Sequence, residues 1–259
     1  MLAPVPGQGA RSPRGVLVTA AGPLMRAALH DLALPTFQRY ADRWGWDLLV
    51  EDLPADGAGA DDGAQRAKWV KLRLLRQALC RAPLALWVDA DVLLLRDDED
   101  VTRHLHPRHF QALALEQVPA EHRVNPNTGV WLLRSCARAF AFLEEVEALG
   151  PQPGPWADQG AVLAALGWER GDLDYRWARP GPGSVHLAGT SWLPPGWNQP
   201  YQGPRRPDDC FNSGADSYLE RPRVLDPHAL HFMGMSPDAR YAAMAQVAGS
   251  TVATQVPVG

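Results

Sequence analysis

The stretch Leu84-Ala85-Leu86-Trp87-Val88-Asp89-Ala90-Asp91-Val92-Leu93-Leu94-Leu95 passes from one apolar segment to another across two aspartates. The first segment is short and rich in Leu and Val, which predicts a buried strand. Carboxylates at the carboxyl end of such a strand lie where open α/β sheets hold their ligands. Residues i and i+2 of an extended chain point the same way, so Asp89 and Asp91 would face one small object, with Ala90 out of the way. Two hard oxygen donors so close suit Mg2+ or Mn2+, ions that usually also take substrate phosphate oxygens. The same residues also read as a solvated acidic turn after a strand, and Asp-x-Asp alone does not decide between the two.

Strands and helices alternate on either side of this stretch. Residues 16–22 read as a first buried strand whose small end, Thr19-Ala20-Ala21-Gly22, lets a ligand or a helix approach closely. Leu34, Phe37, Tyr40, Ala41 and Trp44 recur at helical spacing, and Gly45 stops that helix. Residues 46–50 are a second strand, 52–64 a loop rich in Asp, Gly and Ala, and 65–81 a helix with Trp69, Leu72, Leu75, Ala78 and Leu79 on one stripe. Further strands are expected at 110–115 and 129–133. Ser135 is expected to cap a helix ending at Gly150-Pro151, and a shorter helix covers 158–166. Beyond Gly167 the chain loses its periodicity, and Pro, Gly and Trp accumulate through 177–223 as a long irregular segment. The pattern predicts a single α/β domain with a mostly parallel central sheet, flanking helices and this irregular C-terminal segment. A disordered leader is expected at 1–14, the domain at 15–248 and a flexible tail at 249–259.

With 259 residues, 46% hydrophobic and 21% charged, the chain holds one sizeable domain with a full core. A net charge of −4 gives no electrostatic reason to expect nucleic acid or an anionic membrane as partner. An anionic substrate would need a metal or local basic groups. The three cysteines, Cys80, Cys136 and Cys210, are scattered and form no Cys-x-x-Cys pair, which fits a reducing cytoplasm. No signal-peptide core or membrane span is legible, so a cytoplasmic protein is expected, and the Ala, Arg, Gly and Pro bias points to a GC-rich bacterial genome. The G-x-G-x-x-G, G-x-x-x-x-G-K-[ST] and G-x-S-x-G signatures are all missing.

Four further islands stand out. Trp69-Val70-Lys71-Leu72 precedes the acidic strand, and Lys71 by itself reads as a solvated lysine off the apolar stripe. Asn125-Pro126-Asn127-Thr128-Gly129 opens a strand, either as an Asn-Gly type turn or as a donor and acceptor set for a sugar-like ligand. Asp158-Gln159 begins a helix, where Asp158 either caps it or meets a ligand. Leu230-His231-Phe232-Met233-Gly234-Met235 frames one histidine in apolar residues, as a core histidine or a third metal ligand beside Asp89 and Asp91. The run His104-x-His106-x-x-His109 has the wrong spacing for one helix face and reads as solvated surface.

The order of these islands resembles nucleotide-sugar-dependent glycosyltransferases of the GT-A, Rossmann-like fold. The similarity is greatest to the family of yeast Golgi galactosyltransferases and plant xyloglucan xylosyltransferases, with glycogenin-like enzymes as a second neighbour. That pattern runs W-x-K-L, D-x-D, N-[TS]-G, D-Q and H-F-x-G. Here it is Trp69/Lys71/Leu72, Asp89/Asp91, Asn127/Thr128/Gly129, Asp158/Gln159 and His231/Phe232/Gly234, within residues 15–236. The resemblance implies transfer of a hexose or pentose from a UDP-sugar to an acceptor, with retained anomeric configuration and Mn2+ or Mg2+ held by Asp89, Asp91 and His231. It implies donor contacts from Thr19, Ala20, Ala21, Lys71, Asp89, Ala90, Asp91, Asn127, Thr128, Gly129, His231 and Gly234. It gives the chemistry to Asp158, Gln159 and Lys71, with Lys71 on the diphosphate or donor sugar. Trp197 and Asn198 belong to an element resembling L-P-x-x-W-N and are expected on the acceptor side. The chain departs from the relatives in having Ala157 where a second acid often precedes D-Q, and in lacking the Golgi enzymes' anchor. The acceptor is expected to be a glycan, a peptide or a small metabolite. The competing expectations are a catalytically silent nucleotide-sugar-binding module and a sugar nucleotidyltransferase, for which Thr19-Ala20-Ala21-Gly22-Pro23 is a poor phosphate loop.

Overall fold

A computed structural model describes residues 13–54, 60–118, 123–152, 157–170, 177–180, 184–203 and 223–255. In chain order the strands are β1 Gly15–Ala21, β2 Trp46–Asp52, β3 Leu84–Val88, β4 Val92–Leu94, β5 Gln111–Val118, β6 Arg123–Arg134, β7 Trp168–Arg170, β8 Trp177–Pro180, β9 Thr190–Leu193, β10 Gln199–Pro200 and β11 Ala229–His231. The helices are α1 Arg26–Ala28, α2 Leu34–Trp44, α3 Ala60–Leu79, α4 Ala137–Leu149, α5 Ala157–Ala165 and α6 Pro237–Gln255, with a π-helical turn, Leu29–Ala33, joining α1 to α2.

The central sheet has six strands in the order β2-β1-β3-β6-β5-β9. β1 runs parallel to β2 and β3, β5 runs parallel to β9, and β6 is antiparallel to both its neighbours. The expected mostly parallel α/β sheet is therefore present. Because side chains alternate along a strand, the core divides in two. Leu17, Leu86, Val88, Val130 and Leu132 face Phe37 and Tyr40 of α2, together with β4 and β11. Val16, Val18, Ala85, Trp87, Trp131 and Leu133 face α3, α4 and α5. A second sheet, β10-β11-β4, lies on the first side, with β4 and β11 antiparallel.

Several expectations need correction. The second apolar run, after Asp91, forms β4 of the small sheet. Ser135 does not cap α4: the cap position is Cys136, and Ser135 Oγ donates instead to the Leu79 carbonyl at 2.8 Å, tying the end of α3 to the sheet. Helix α3 starts at Ala60, inside the expected loop. The irregular segment contributes β9, which completes the central sheet. Arg14 pairs with Asp100 and donates to Thr102 Oγ1 at 2.7 Å, and helix α6 runs to Gln255, neither of which tests the expected domain bounds. Residues 1–12, 55–59, 204–222 and 256–259, together with Trp156 and Cys210, lie outside the described residues. Among the described residues no helix is long and apolar enough to cross a membrane.

Candidate active site

The backbone converges at the carboxyl end of β3. The Asp89 amide donates to the Gly129 carbonyl at 2.8 Å, and the Val92 amide closes a turn onto the Asp89 carbonyl at 3.0 Å. Asp89 and Asp91 are thus brought together by a turn, not by an extended strand. β11 then pairs with β4 so that His231 lies opposite Val92, and the Phe232 amide donates to the Asp91 carbonyl at 2.9 Å. On the other side, the pairing of β6 with β5 jumps from Leu113/Trp131 to Ala114/Asn127. The residues bulged out, Thr128, Gly129 and Val130, include two that reach the acidic cluster, the usual service of a bulge beside a site.

One half of the cluster is sealed. Lys71 is 3% exposed. Its Nζ lies 2.9 Å from Asp158 Oδ2 and 3.2 Å from Asp89 Oδ1, and it donates to Thr128 Oγ1 at 3.1 Å and to the Thr128 carbonyl at 3.3 Å. It also lies 5.2 Å from the Trp87 ring, whose Nε1 donates to Asp89 Oδ1 at 2.5 Å. Thr128 Oγ1 reaches Asp158 Oδ2 at 3.3 Å, and its amide makes a long 3.5 Å contact with Gln159 Oε1. Burial alone would push the Lys71 ammonium down, but Asp158 and Asp89 outweigh it and hold it above the ordinary lysine value.

The other half is looser. His231 Nε2 lies 3.2 Å from Asp91 Oδ1 and 3.9 Å from Asp89 Oδ2. Arg240 of α6 approaches Asp91 Oδ2 at 3.4 Å and donates to the Met235 carbonyl at 2.8 Å. Burial pushes the Asp91 carboxyl up, yet Arg240 and His231 more than reverse this and hold it well below the ordinary carboxylate range. One ligand atom each from Asp89, Asp91 and His231 lies within 4.8 Å of the others, the single such grouping among the described residues. Asp89 spends Oδ1 on Lys71 and Trp87, which leaves Oδ2 turned toward His231.

Most expected site residues meet here. Asn127 Oδ1 accepts from the Gly129 amide at 2.8 Å and from Asn198 Nδ2 at 2.7 Å, and Asn198 Oδ1 is 2.9 Å from His231 Nδ1. Gly129 leaves room for the imidazole: a Cβ there would collide with His231 Cε1 and lie 2.6 Å from Nδ1. Gly234, at φ 71°, turns the chain from β11 toward α6. Ala90 is buried between the two aspartates. Lys71 is not the solvated side chain its position suggested. Asp158 is the second residue of α5, not its cap, and its carboxylate is used on Lys71 and Thr128. Thr19, Ala20 and Ala21 stand at the carboxyl end of β1, next to β3, on the same edge of the sheet. Thr19 is fully buried and its Oγ1 has no hydrogen-bond partner. Trp197 is separate: it is fully buried in the core, stacked on His228 at 4.6 Å and edge-on to Tyr40 at 6.1 Å, so it offers no face to an acceptor. His106 and His109 gather around Ser191, away from the acidic cluster.

Two participants were missed. Arg240 follows a Ser236-Pro237 helix start, which locates a helix but not the partner of its residues. The Trp87 indole reads as plain core, and only its 2.5 Å bond shows that it orients Asp89.

No protein-family model and no characterised protein matches the chain by sequence. Solved structures do. A glycosyltransferase involved in glycosylation of the major capsid of PBCV-1 superposes with a TM-score of 0.53 at 14% identity, covering 90% of this chain and 99% of its own. The galactosyltransferase LgtC, solved with donor and acceptor sugar analogs, gives 0.52 at 15% identity, covering 91% and 95%. The bifunctional glycosyltransferase WbbM gives 0.51 at 12% identity, covering 94% of this chain and 50% of its own. At such identities the likeness speaks to architecture, and the chain has the GT-A glycosyltransferase fold.

Proposed function

We propose that the chain is a metal-dependent glycosyltransferase that moves a sugar from a UDP-sugar to an acceptor hydroxyl with retention of configuration. The observation that carries this is the convergence of Asp89 Oδ2, Asp91 Oδ1 and His231 Nε2 at the carboxyl end of β3, in a fold shared with sugar transferases. The donor set fits Mn2+ or Mg2+: two hard carboxylates and one imidazole, with Lys71 and Arg240 as the permanent cations beside Asp89, Asp91 and Asp158 among the described residues. When bound, such an ion stabilises the negative charge that develops on the departing diphosphate.

The protein's own groups do the rest. Lys71 is already shared between Asp158 and Asp89, so we assign it to fixing these carboxylates and not to the diphosphate. Asp158, so held, presents negative charge where positive charge grows at the anomeric carbon. Its engagement by Lys71 and Thr128 favours a front-face course over attack by the carboxylate. In that course the glycosyl–phosphate bond breaks, the acceptor oxygen bonds the same face of the sugar, and its proton passes to a leaving phosphate oxygen. Gln159, beside Thr128, lines the reacting face. The free thiols Cys80 and Cys136 support action in a reducing compartment, the cytoplasm.

The test is release of UDP from a panel of UDP-sugars. We expect Mn2+-dependent hydrolysis that EDTA stops and that Asp91→Asn abolishes without loss of the folded state. UDP binding that is equally tight in EDTA would remove the metal. Tight metal-dependent binding with no turnover on any sugar would leave a silent binding module.

A further inference from the structure

The amides around His231 fix more than its position. The Gly129 amide is an unambiguous donor, and it points at Asn127 Oδ1 at 2.8 Å. The other end of the Asn127 amide, Nδ2, donates to Glu116 Oε2 at 3.1 Å. Asn127 is therefore anchored in one orientation from both sides, with its oxygen toward Asn198. That oxygen also accepts at 2.7 Å, so the Asn198 atom facing it must be Nδ2. The remaining Asn198 atom, Oδ1, only accepts, and it lies 2.9 Å from His231 Nδ1. His231 must then carry a proton on Nδ1. Asn127, Asn198 and His231 are 4%, 6% and 4% exposed, which leaves little room for water to offer Nδ1 another partner.

We infer that Asn198, oriented by Asn127, is a positioning residue that holds the His231 proton on Nδ1. With Nδ1–H engaged by Asn198, Nε2 is the ring nitrogen directed at the space between Asp89 Oδ2 and Asp91 Oδ1, and the one that must give up any proton for an ion to be ligated there. A free imidazole has no such obligation, and in the other tautomer Nε2 would carry a hydrogen and could not ligate. Outer partners of this kind, which fix tautomer and ring orientation, carry a measurable share of metal affinity. This assigns Asn198 a task different from contact with an acceptor. It rests on the proposed metal site for its purpose, but not for the placement of the proton.

The experiment uses the full chain with 15N-labelled histidine, with His231 identified by the signals lost in His231→Gln. Long-range 1H–15N correlations at alkaline pH read the tautomer, and electron paramagnetic resonance reads free Mn2+ without nucleotide. We expect Nδ1–H in the wild type. Asn198→Leu should release the ring to Nε2–H and weaken Mn2+ binding by roughly 10–100-fold. The isosteric Asn198→Asp keeps an acceptor for Nδ1–H and should keep the tautomer, which a merely space-filling role does not predict. Nε2–H in the wild type, or unchanged Nδ1–H in Asn198→Leu, overturns the inference. A wild type with Nδ1–H that takes up no Mn2+ supports the proton placement and sinks the metal site instead.

Discussion

Asp89 and Asp91 stand two residues apart and live in different halves of the site. Asp89 belongs to the sheet: Lys71 from α3 and Trp87 from β3 hold its Oδ1, and the same lysine binds Asp158 behind it. Asp91 belongs to the C-terminal part of the chain: His231 of β11 takes one oxygen and Arg240 of α6 the other. The side chains of Lys71 and Asp158 are 4% and 5% exposed and those of Asp91 and Arg240 15% and 14%, while Asp89, which joins the two halves, is 28% exposed. The comparison separates two uses of one charge cluster. Around Lys71 a cation and its carboxylates close on each other. Around Asp91 a carboxylate lies between an imidazole nitrogen and a guanidinium.

The largest effect should come from breaking the closed half. Lys71→Met leaves Asp89 and Asp158 facing each other without their cation, and removing one partner of a buried pair costs about 3–5 kcal/mol. Urea titration should show that loss; wild-type stability would mean that the lysine reaches solvent after all. The pH dependence sharpens the contrast. Lys71 is held above its ordinary value, so its pairing stabilises below about pH 10.4 and is lost as pH rises past that point. Asp91 is held below its ordinary value, so its pairing stabilises above about pH 3.9 and is lost as pH falls. Melting temperature followed across pH should therefore lose its alkaline limb in Lys71→Met and retain the acid one.

A smaller effect falls on the seam between the halves. Gly129 has no positive φ, so an alanine there is opposed chiefly by His231, against which its Cβ would collide, and more weakly by Asn127 Oδ1 at 3.0 Å. Overpacking of this kind costs about 1–3 kcal/mol. We expect Gly129→Ala to lower stability in that range and to weaken Mn2+ binding by displacing the ring. In a His231→Ala background the same change should cost clearly less, because the ring that makes the two shortest contacts is gone and only Asn127 Oδ1 remains close. A cost undiminished without His231 would place the constraint elsewhere in β6.

The strand that carries the closed half is legible in the sequence, and the strand pairing that builds the open half is not. The apolar run into Asp89 located β3 and the edge where ligands gather, because a strand buried on both faces is spelled by its own residues. Read by itself Lys71 looks solvated, because the stripe on α3 is drawn too narrow; the resemblance alone places it at the site. Lys71, Leu74, Leu75 and Ala78 also follow helical spacing, and all four are buried. Asp158 looked like a cap because caps are local, while its partner Lys71 sits on another helix. The open half depends on β4 pairing with β11, two three-residue strands far apart in the chain, and no local pattern reports such a pairing. The ordered islands nonetheless led to Asp89, Asp91 and His231, whereas Arg240 carried no signal of its own. Trp197 and Asn198 are neighbours in sequence, yet one fills the core and the other bonds to His231. A short irregular segment gives no periodicity from which to assign such sides.

The smallest expected change concerns Arg240, and it bears on what the open half is for. Its guanidinium lies 3.4 Å from Asp91 Oδ2, donates to Met235 and approaches Met25 Sδ at 3.1 Å, while its buried Nε has no partner. In the metal-free protein it is a resident counter-ion for Asp91. A divalent ion on Asp91 would be repelled by that charge by about 1 kcal/mol even at water-like screening. Arg240→Gln keeps donors for Met235 and removes the charge, so Mn2+ alone should bind roughly fivefold tighter. The sign is the informative part, because a variant that merely loosened α6 would weaken binding. The same variant should bind UDP less well in the presence of Mn2+, since a diphosphate drawn to this site loses one of the two cations beside the aspartates. Calorimetry of Mn2+ alone and of UDP with saturating Mn2+ separates these outcomes. If both affinities fall together, Arg240 supports the shape of the site; if they move in opposite directions, it tunes its charge.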